Sequence, residues 1–216
     1  MRNKDLFLTY NSIAMDLIRR CKYPVEVLPY LVGYIEFLGS TLDSGYEQVL
    51  ENIWVAKDAS IDNSSLIQGP CIIDHEAEIR HNAYIRGSAI IGKNCVLGNS
   101  SEIKNSIMFD ESKAPHFNYI GDSILGYKAH LGAGAIISNL KSDGSDVVIK
   151  SSEPLDTNLR KVGAFLGDNV EVGCNSVLNP GTIIGPNTSI YPLTFVRGVI
   201  PPNSIMKDKN TLVRKK

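Results

Sequence analysis

The chain has 216 residues, of which 43% are hydrophobic, and its formal net charge is -1. This composition allows one sizeable core and argues against a strongly basic nucleic-acid binder. No run of about 18 apolar residues occurs, so an ordinary membrane span is not expected, and the first residues lack a secretory pattern. Because the four cysteines have no Cys-x-x-Cys spacing, we expect reduced thiols and a cytoplasmic location.

Residues 1–52 are predicted to form an α-helical N-terminal cap. Apolar spacing typical of helices runs through residues 11–20 and 26–38. A third short helix, capped near Asp43, is expected up to Leu50. Since solenoids need their open ends covered, the simplest role for this segment is to close the end of the next domain.

After residue 52, aliphatic residues recur every six positions, and a small residue such as Ala59 or Thr182 stands four positions after most of them. Ile107 is the large exception in the first block. A period of six fits neither an amphipathic helix nor an ordinary strand. The aliphatic positions are Val55, Ile61, Ile67, Ile73, Ile79, Ile85, Ile91, Leu97, Ile103, then Leu125, Leu131, Ile137, then Leu166, Val172, Leu178, Ile184, Ile190 and Val196.

This period predicts a mainly β protein, a parallel β-helix over residues 53–206 whose coils stack at about 4.8 Å. The pattern resembles the hexapeptide-repeat family of left-handed β-helices, which implies the handedness and three hexapeptides per coil. Residues 18 apart then lie directly above one another. Polar segments near 108–118 and 138–162 are expected as excursions from the coil. Residues 207–216 form a basic tail, either a solvated terminus or a contact for an anionic cofactor.

Arg86 and Lys104 are 18 residues apart, so this register places them on one face of adjacent coils. Two cations about 5 Å apart repel one another unless an anion lies between them, and a phosphate would make the arrangement favourable. The alternative is that both extend into solvent or pair with Glu102 and Glu78.

His116 is a candidate general base, because imidazole titrates near neutral pH. An isolated histidine is more often structural or exposed, but this one follows the two cations and precedes Tyr119 by three residues. The glycine-bounded turn around Ala133 lets a ligand approach a backbone N–H, which could stabilise an oxyanion in acyl transfer. Those glycines could equally serve the turn alone.

Residues 86–139 resemble the acetyltransferase half of glucosamine-1-phosphate N-acetyltransferase/uridyltransferase, the bifunctional bacterial enzyme that makes UDP-N-acetylglucosamine. The resemblance implies that Arg86 and Lys104 bind the sugar phosphate, that His116 is the catalytic base, and that Tyr119 contacts the substrate. It also implies a homotrimer with the cofactor site between subunits.

The same resemblance implies that Ala133 and Asn139 contact acetyl-CoA. Residues 160–181 look more like the archaeal and clostridial sugar-nucleotide members of the superfamily. Among those members, Cys174 and Pro192 would line the pantetheine arm.

Three residues depart from the family pattern. His130 replaces an asparagine that contacts the sugar, Leu140 replaces a tyrosine, and Cys174 replaces a cofactor serine. These changes leave the base and the phosphate clamp in place but leave the identity of the sugar open. Residues 1–52 contain no Gly-x-Gly-Thr nucleotide loop, so we do not expect these residues to supply the nucleotidyltransferase half.

The sequence therefore predicts an acetyl-CoA-dependent N-acetyltransferase for an amino-sugar phosphate resembling glucosamine 1-phosphate, in nucleotide-sugar biosynthesis. Tyr119 and His130 would orient the sugar, and no metal, nucleic acid or membrane is involved. One alternative is a non-catalytic scaffold that binds a sugar phosphate or nucleotide sugar.

The other alternative is a γ-carbonic-anhydrase-type zinc hydratase, since four imidazoles are available, from His75, His81, His116 and His130. That family needs two histidines five residues apart, and Gly121 stands at that distance from His116.

Overall fold

The computed structural model describes residues 1–8, 12–151 and 153–215, and most of them form a parallel β-helix. Three sheets, called here faces A, B and C, run along the coil. Face A contains Tyr46–Leu50, Ile53–Ala56, Cys71–Ile73, Ala89–Ile91, Ser106–Met108, Ile124–Leu125, Ala164–Leu166, Thr182–Ile184 and Val199–Ile200. Face B contains Ser60–Ile61, Glu78–Ile79, Val96–Asn99, Lys113–His116, His130–Leu131, Glu171–Val172, Ser189–Ile190, Ser204–Asp208 and Thr211–Arg214. Face C contains Leu66–Gln68, Tyr84–Arg86, Glu102–Lys104, Tyr119–Gly121, Ile136–Ile137, Val177–Leu178 and Phe195–Val196.

The mainly β, parallel fold class predicted from the six-residue period is confirmed. Each coil contributes one strand to each face, and Cys71 pairs in parallel with Ala89, 18 residues later. The aliphatic residues of the period, such as Ile85, Leu131 and Leu178, are fully buried in one continuous core along the axis. Every coil buries apolar surface, and each Å² removed from water stabilises the fold by about 25 cal/mol. This burial is the main stabilising contribution. The left-handed sense of the coil stays a prediction.

The expected excursion near 108–118 is wrong, because these residues continue the coil. Lys113–His116 is a strand of face B, with Ala114 paired in parallel to Leu97, 17 residues earlier. This coil of the β-helix is one residue short. Ser106 therefore pairs with the small residue Ala89 of the preceding coil, while Ile107 points outward from the coil. On face B of this coil, the interior position is occupied by Ala114. Because alanine is not one of the larger aliphatic residues that define the period, the period is hidden here.

Residues near 138–162 do leave the coil. Leu140 forms an isolated antiparallel bridge with Lys161, and Val148–Ile149 pairs with Leu155–Asp156 in a small antiparallel sheet. Ile149 is buried against the outer side of face A. We call residues 138–162 the excursion.

The N-terminal segment contains α-helices at Asn3–Leu6, Met15–Arg20 and Leu31–Gly39 and a 3-10 helix at Pro24–Tyr30. The start of the predicted helix at residue 11 lies outside the described residues. None of the described helices is long and apolar enough to cross a membrane.

The predicted third helix is wrong, because Tyr46–Leu50 is a strand that pairs antiparallel with Ile53–Ala56. The helices also do more than close an open end. Leu31 and Ile35 are buried in one cluster with Ile90, which points outward from face A. The helical segment therefore packs along the outside of face A, because that face presents large apolar residues on its outer side.

The predicted basic tail is not a free terminus within the described residues. Ser204–Asp208 pairs in parallel with Ser189–Ile190, and Thr211–Arg214 folds back antiparallel on it. This hairpin covers the last coil on face B. Lys216, the last residue of the predicted tail, lies outside the described residues.

Candidate active site

The predicted site residues lie on and beside face C. The turn from face B to face C is called the B–C corner, and the turn from face C to face A the C–A corner. The B–C corner contains His116, Ala133, Cys174 and Pro192. Face C contains Arg86, Lys104 and Tyr119, and the C–A corner contains Asn139. Because a three-residue strand spans only about 7 Å, the two corners lie on either side of a narrow face.

His116 differs from the other histidines in its hydrogen bonding. His75 Nδ1 lies 2.9 Å from Asp58, His81 Nδ1 lies 2.7 Å from Ser64 Oγ, and the ring of His130 is also engaged. The exposed ring of His116 has no hydrogen-bond partner among residues 1–8, 12–151 and 153–215. Its imidazole is therefore available to a ligand.

The B–C corner is a continuous column of backbone hydrogen bonds. The N–H of Gly134 donates to the carbonyl oxygen of His116 at 3.0 Å, and that of Asn175 donates to Ala133 at 2.9 Å. A side chain at residue 132 would place its Cβ 2.6 Å from the backbone nitrogen of Cys174, so only glycine permits this close stacking. The column places the predicted base one coil from the predicted oxyanion donor.

The N–H of Ala133 has no acceptor among the described residues. It can therefore donate to an oxygen outside the chain. Cys174 lies in the next coil with its side chain exposed, and the N–H of Leu193 donates to its carbonyl oxygen at 2.9 Å. Pro192 stands beside this contact, in the last coil of the column.

Large apolar side chains surround the lower B–C corner. Leu193 is 79% exposed and Phe117 is 60% exposed, and both have the positive φ that bulky residues seldom adopt. On face C, Ile136, Val177 and Phe195 are exposed and stack on one another in register. We call these three residues, together with Leu193 at the neighbouring corner, the exposed strip. Contiguous exposed apolar residues are typical of interaction surfaces.

Arg86 and Lys104 end neighbouring strands of face C, since Glu102 pairs with Tyr84 and Ile103 with Ile85. Each cation has a carboxylate partner. Arg86 Nη1 lies 3.1 Å from Glu102 Oε1, and Lys104 Nζ lies 3.4 Å from an oxygen of Asp122. The expected repulsion between the cations is therefore relieved by two ion pairs. Arg86 does pair with Glu102, whereas Glu78 pairs with Arg80.

Asp122 links several of these residues, and the sequence interpretation missed its role. Its carboxylate, nearly fully buried, accepts hydrogen bonds from the side-chain amides of Asn105 and Asn139 and pairs with Lys104. The 18-residue register gave no signal for this pair, because the coil is 17 residues long here and Lys104 pairs in the sheet with Gly121, the residue before Asp122. The side-chain amide of Asn139 also donates to the hydroxyl oxygen of Tyr119 at 3.3 Å.

Tyr119 is half-buried on face C. Burial raises the pKa of its phenol, and the nearby charge of Glu102 raises it further. The hydroxyl therefore stays protonated at neutral pH and can donate a hydrogen bond to a ligand oxygen.

Within one chain, His130 does not lie beside the other predicted site residues. It lies on face B, where its Nδ1 is 2.8 Å from Glu171 Oε2, whereas Tyr119 lies on face C. The residues described by the structure contain no group of three or more His, Cys, Asp or Glu side chains arranged to hold a metal ion.

Fold and site together define a hexapeptide-repeat β-helix with an exposed imidazole at one corner and two ion-paired cations on the face beside it. The family model described as the GMPPB C-terminal domain matches residues 67–158. The model of the bacterial transferase hexapeptide (six repeats) matches residues 163–198. These matches confirm the predicted resemblance to the hexapeptide-repeat transferases.

Two curated relatives carry names that describe sugar phosphates or the bifunctional enzyme. The Bifunctional protein GlmU of Methanococcus maripaludis is 37% identical over 113 residues, 52% of this chain and 28% of that protein. The Bifunctional sugar-1-phosphate nucleotidylyltransferase/acetyltransferase of Sulfurisphaera tokodaii is 38% identical over 92 residues, 42% of this chain and 23% of that protein. The chain thus spans about a quarter of the length of these relatives.

Among solved structures, a single-residue mutant of AntD, an N-acyltransferase from Bacillus cereus in complex with dTDP and coenzyme A, is 15% identical with a TM-score of 0.41. That match covers 81% of this chain and 92% of AntD.

Proposed function

We propose that this chain transfers an acetyl group from acetyl-CoA to the amine of an amino-sugar phosphate resembling glucosamine 1-phosphate. The observation that carries this proposal lies at the B–C corner. Among the described residues, neither the imidazole of His116 nor the N–H of Ala133, one coil away, has a hydrogen-bond partner. The names of the matched relatives, which include a sugar-1-phosphate acetyltransferase, support the reaction class.

In the proposed reaction, His116 accepts a proton from the acceptor amine while that amine attacks the thioester carbonyl. The carbonyl oxygen becomes an oxyanion and accepts a hydrogen bond from the N–H of Ala133. When the C–S bond breaks, the imidazolium returns its proton to the departing thiolate. Because the amine must arrive neutral, the rate rises with pH through the neutral range.

Arg86 and Lys104 hold the acceptor phosphate in this proposal. The Arg86–Glu102 pair has side chains 50% and 31% exposed, and such a pair is worth at most about 1 kcal/mol. A phosphate dianion can therefore replace Glu102 at the guanidinium in a bidentate contact. Asp122 keeps Lys104 in place beside it, and the hydroxyl of Tyr119 donates to the sugar.

The pantetheine arm would run along the B–C corner, past Cys174 and Pro192, with Asn139 as a further cofactor contact. No charged side chain needs to move there, since the corner is lined by backbone and exposed apolar groups.

We further propose a homotrimer that functions in the cytoplasm, in nucleotide-sugar biosynthesis. The exposed strip on face C supports subunit contact, because Ile136, Val177 and Phe195 would otherwise stay in water. Within one chain, the position of His130 on face B keeps it away from the acceptor. A neighbouring subunit could bring its own His130 there.

The second candidate is a non-catalytic scaffold that binds a sugar phosphate or nucleotide sugar. It is favoured by the 2.8 Å contact between His130 and Glu171, which engages the residue that departs from the family asparagine.

The test is to incubate the protein with acetyl-CoA and a panel of amino-sugar phosphates while measuring free thiol. Thiol release that depends on the acceptor supports the acetyltransferase. Acceptor binding, measured by calorimetry, without thiol release supports the scaffold and contradicts the enzyme.

A further inference from the structure

Asn118 is an exception to the pattern of the coil. It stands at the B–C corner, four residues after the interior residue of its coil, and is only 3% exposed. The buried residues at the equivalent position of other coils are all smaller: Ala83, Ser101, Ala135, Ser176 and Thr194. A full side-chain amide is therefore enclosed where these coils have only methyl or hydroxyl groups. Because buried polar groups need hydrogen-bond partners, its partners show what this amide holds together.

Those partners lie on both sides of the proposed reaction centre. The Oδ1 atom of Asn118 accepts a hydrogen bond from the backbone N–H of His116 at 3.1 Å. Its Nδ2 atom donates to the carbonyl oxygen of Gly132 at 2.9 Å and to that of Ala135 at 3.1 Å. Since one N–H and two carbonyl oxygens surround the amide, they determine which of its ends carries the nitrogen.

These bonds join the backbone of His116 to the turn that contains Ala133. The same turn also contacts His116 through its other peptide group, because the N–H of Gly134 donates to the carbonyl oxygen of His116 at 3.0 Å. Both peptide groups of His116 are thus tied to one turn. The backbone N–H of Asn118 donates to Oγ of the buried Ser101 at 3.1 Å, which anchors the amide to the preceding coil.

We propose that Asn118 is a positioning residue, which holds the imidazole of His116 and the N–H of Ala133 at the separation that acetyl transfer needs. The inference rests on the proposed function for the roles of these two groups. Asn118 contacts the backbone beside each of them and not the reacting atoms. A displacement of about 1 Å can slow a reaction by about 10²-fold, so a buried tie between the two groups has a direct effect on the rate.

Asn118→Ala tests this role through the rate of acceptor-dependent thiol release. We expect kcat to fall by at least about tenfold, while the KM for the acceptor stays within about twofold of wild type. The KM should hold because Arg86 and Lys104 lie on face C, and the hydrogen bonds of the Asn118 amide do not involve them.

Asn3→Ala is the matched control. Asn3 is 4% exposed, and its amide also donates to two backbone carbonyl oxygens, those of Ile18 and Cys21, both at 3.0 Å. It belongs to the helical segment outside face A. Lost buried hydrogen bonds should lower the Tm of both variants, whereas only Asn118→Ala should lower kcat. Equal losses of kcat in the two variants, a rise in KM alone, or an unchanged kcat in Asn118→Ala would overturn the positioning role.

Asn118→Ser serves if the alanine variant fails to fold, since a serine hydroxyl has one hydrogen and cannot donate to both carbonyl oxygens. Its kcat should fall by at least about threefold, as expected for a lost hydrogen bond. A kcat equal to that of wild type would count against the role in the same way.

Hydrogen exchange, measured by NMR, separates this inference from the proposed function. The N–H of Gly134 should exchange faster in either Asn118 variant than in wild type, because its acceptor on His116 is no longer held in place. Asn3→Ala should leave this rate unchanged. Faster exchange in a protein whose wild type transfers no acetyl group would refute the proposed function and leave the tie in place. Unchanged exchange in an active enzyme would refute the tie alone.

Discussion

Lys104 Nζ lies 3.4 Å from Asp122 Oδ2, and the two side chains are only 18% and 5% exposed. The carboxylate also orders two asparagines, so it fixes the geometry on which a phosphate would bind. The pair connects face C to the C–A corner.

Asp122→Asn should destabilise the fold, because it leaves the ammonium of Lys104 partly buried without its counter-charge. We expect the free energy of unfolding to fall by about 2–4 kcal/mol, measured by urea denaturation. The KM for the acceptor should rise as well, since Lys104 loses its fixed position.

The matched control for this variant is Glu78→Gln, which breaks the exposed Arg80–Glu78 pair. Exposed pairs contribute less than about 1 kcal/mol. Equal losses in the two variants would contradict the structural role of Asp122.

Gly98→Ala tests the stacking of the coil that contains Lys113–His116. An added Cβ at residue 98 would lie 1.7 Å from the carbonyl oxygen of Pro115, and only separation of the two coils could relieve this contact. Overpacking of this severity should cost about 3 kcal/mol or more, and lower the Tm by roughly 6–12 °C.

Gly33→Ala is the matched substitution, because nothing lies within 4 Å of an added Cβ at this exposed position of the Leu31–Gly39 helix. It should stabilise the protein by up to about 1 kcal/mol, since alanine has the higher helix propensity. A tolerated Gly98→Ala would mean that residues 108–118 leave the coil after all.

The cysteines should differ sharply in reactivity. Burial raises the pKa of the Cys71 and Cys95 thiols to about 12, so at pH 8 both remain protonated and unreactive. Cys174 is exposed and should be labelled rapidly by a maleimide, as mass spectrometry would detect.

Acetyl-CoA should protect Cys174 from that label if the pantetheine arm follows the B–C corner, while inorganic phosphate should not. Labelling at an unchanged rate under saturating acetyl-CoA would place the cofactor elsewhere.

The fold could be predicted from the sequence because an inward aliphatic residue at every sixth position has no other explanation. What the period could not reveal was that two successive coils are each one residue short, with 17 residues from Ala89 to Ser106 and from Ile107 to Ile124. There the interior position is filled by Ala114, and the small position moves to Ser106. The outward residues Ile72 and Ile90 did carry a readable signal, since large apolar residues on the outer side of face A require a cover.

The site was predicted in part. Spacing placed Arg86 and Lys104 on one face and left the pairing of a cation with Glu102 open. It did not predict the Lys104–Asp122 pair, because that contact depends on side-chain direction across neighbouring coils. The separation of His130 from Tyr119 follows from the face that each strand joins, since His130–Leu131 lies on face B and Tyr119–Gly121 on face C.

The most direct test of the proposed enzyme is the rate of acetyl transfer by His116→Ala, measured as acceptor-dependent thiol release. We expect a loss of about 10²–10⁴-fold, the usual contribution of a general base. The same substitution at His81, two coils away at the same corner, should leave the rate within about twofold of wild type. A His116→Ala variant that keeps more than about a tenth of the wild-type rate would contradict general-base catalysis by this residue.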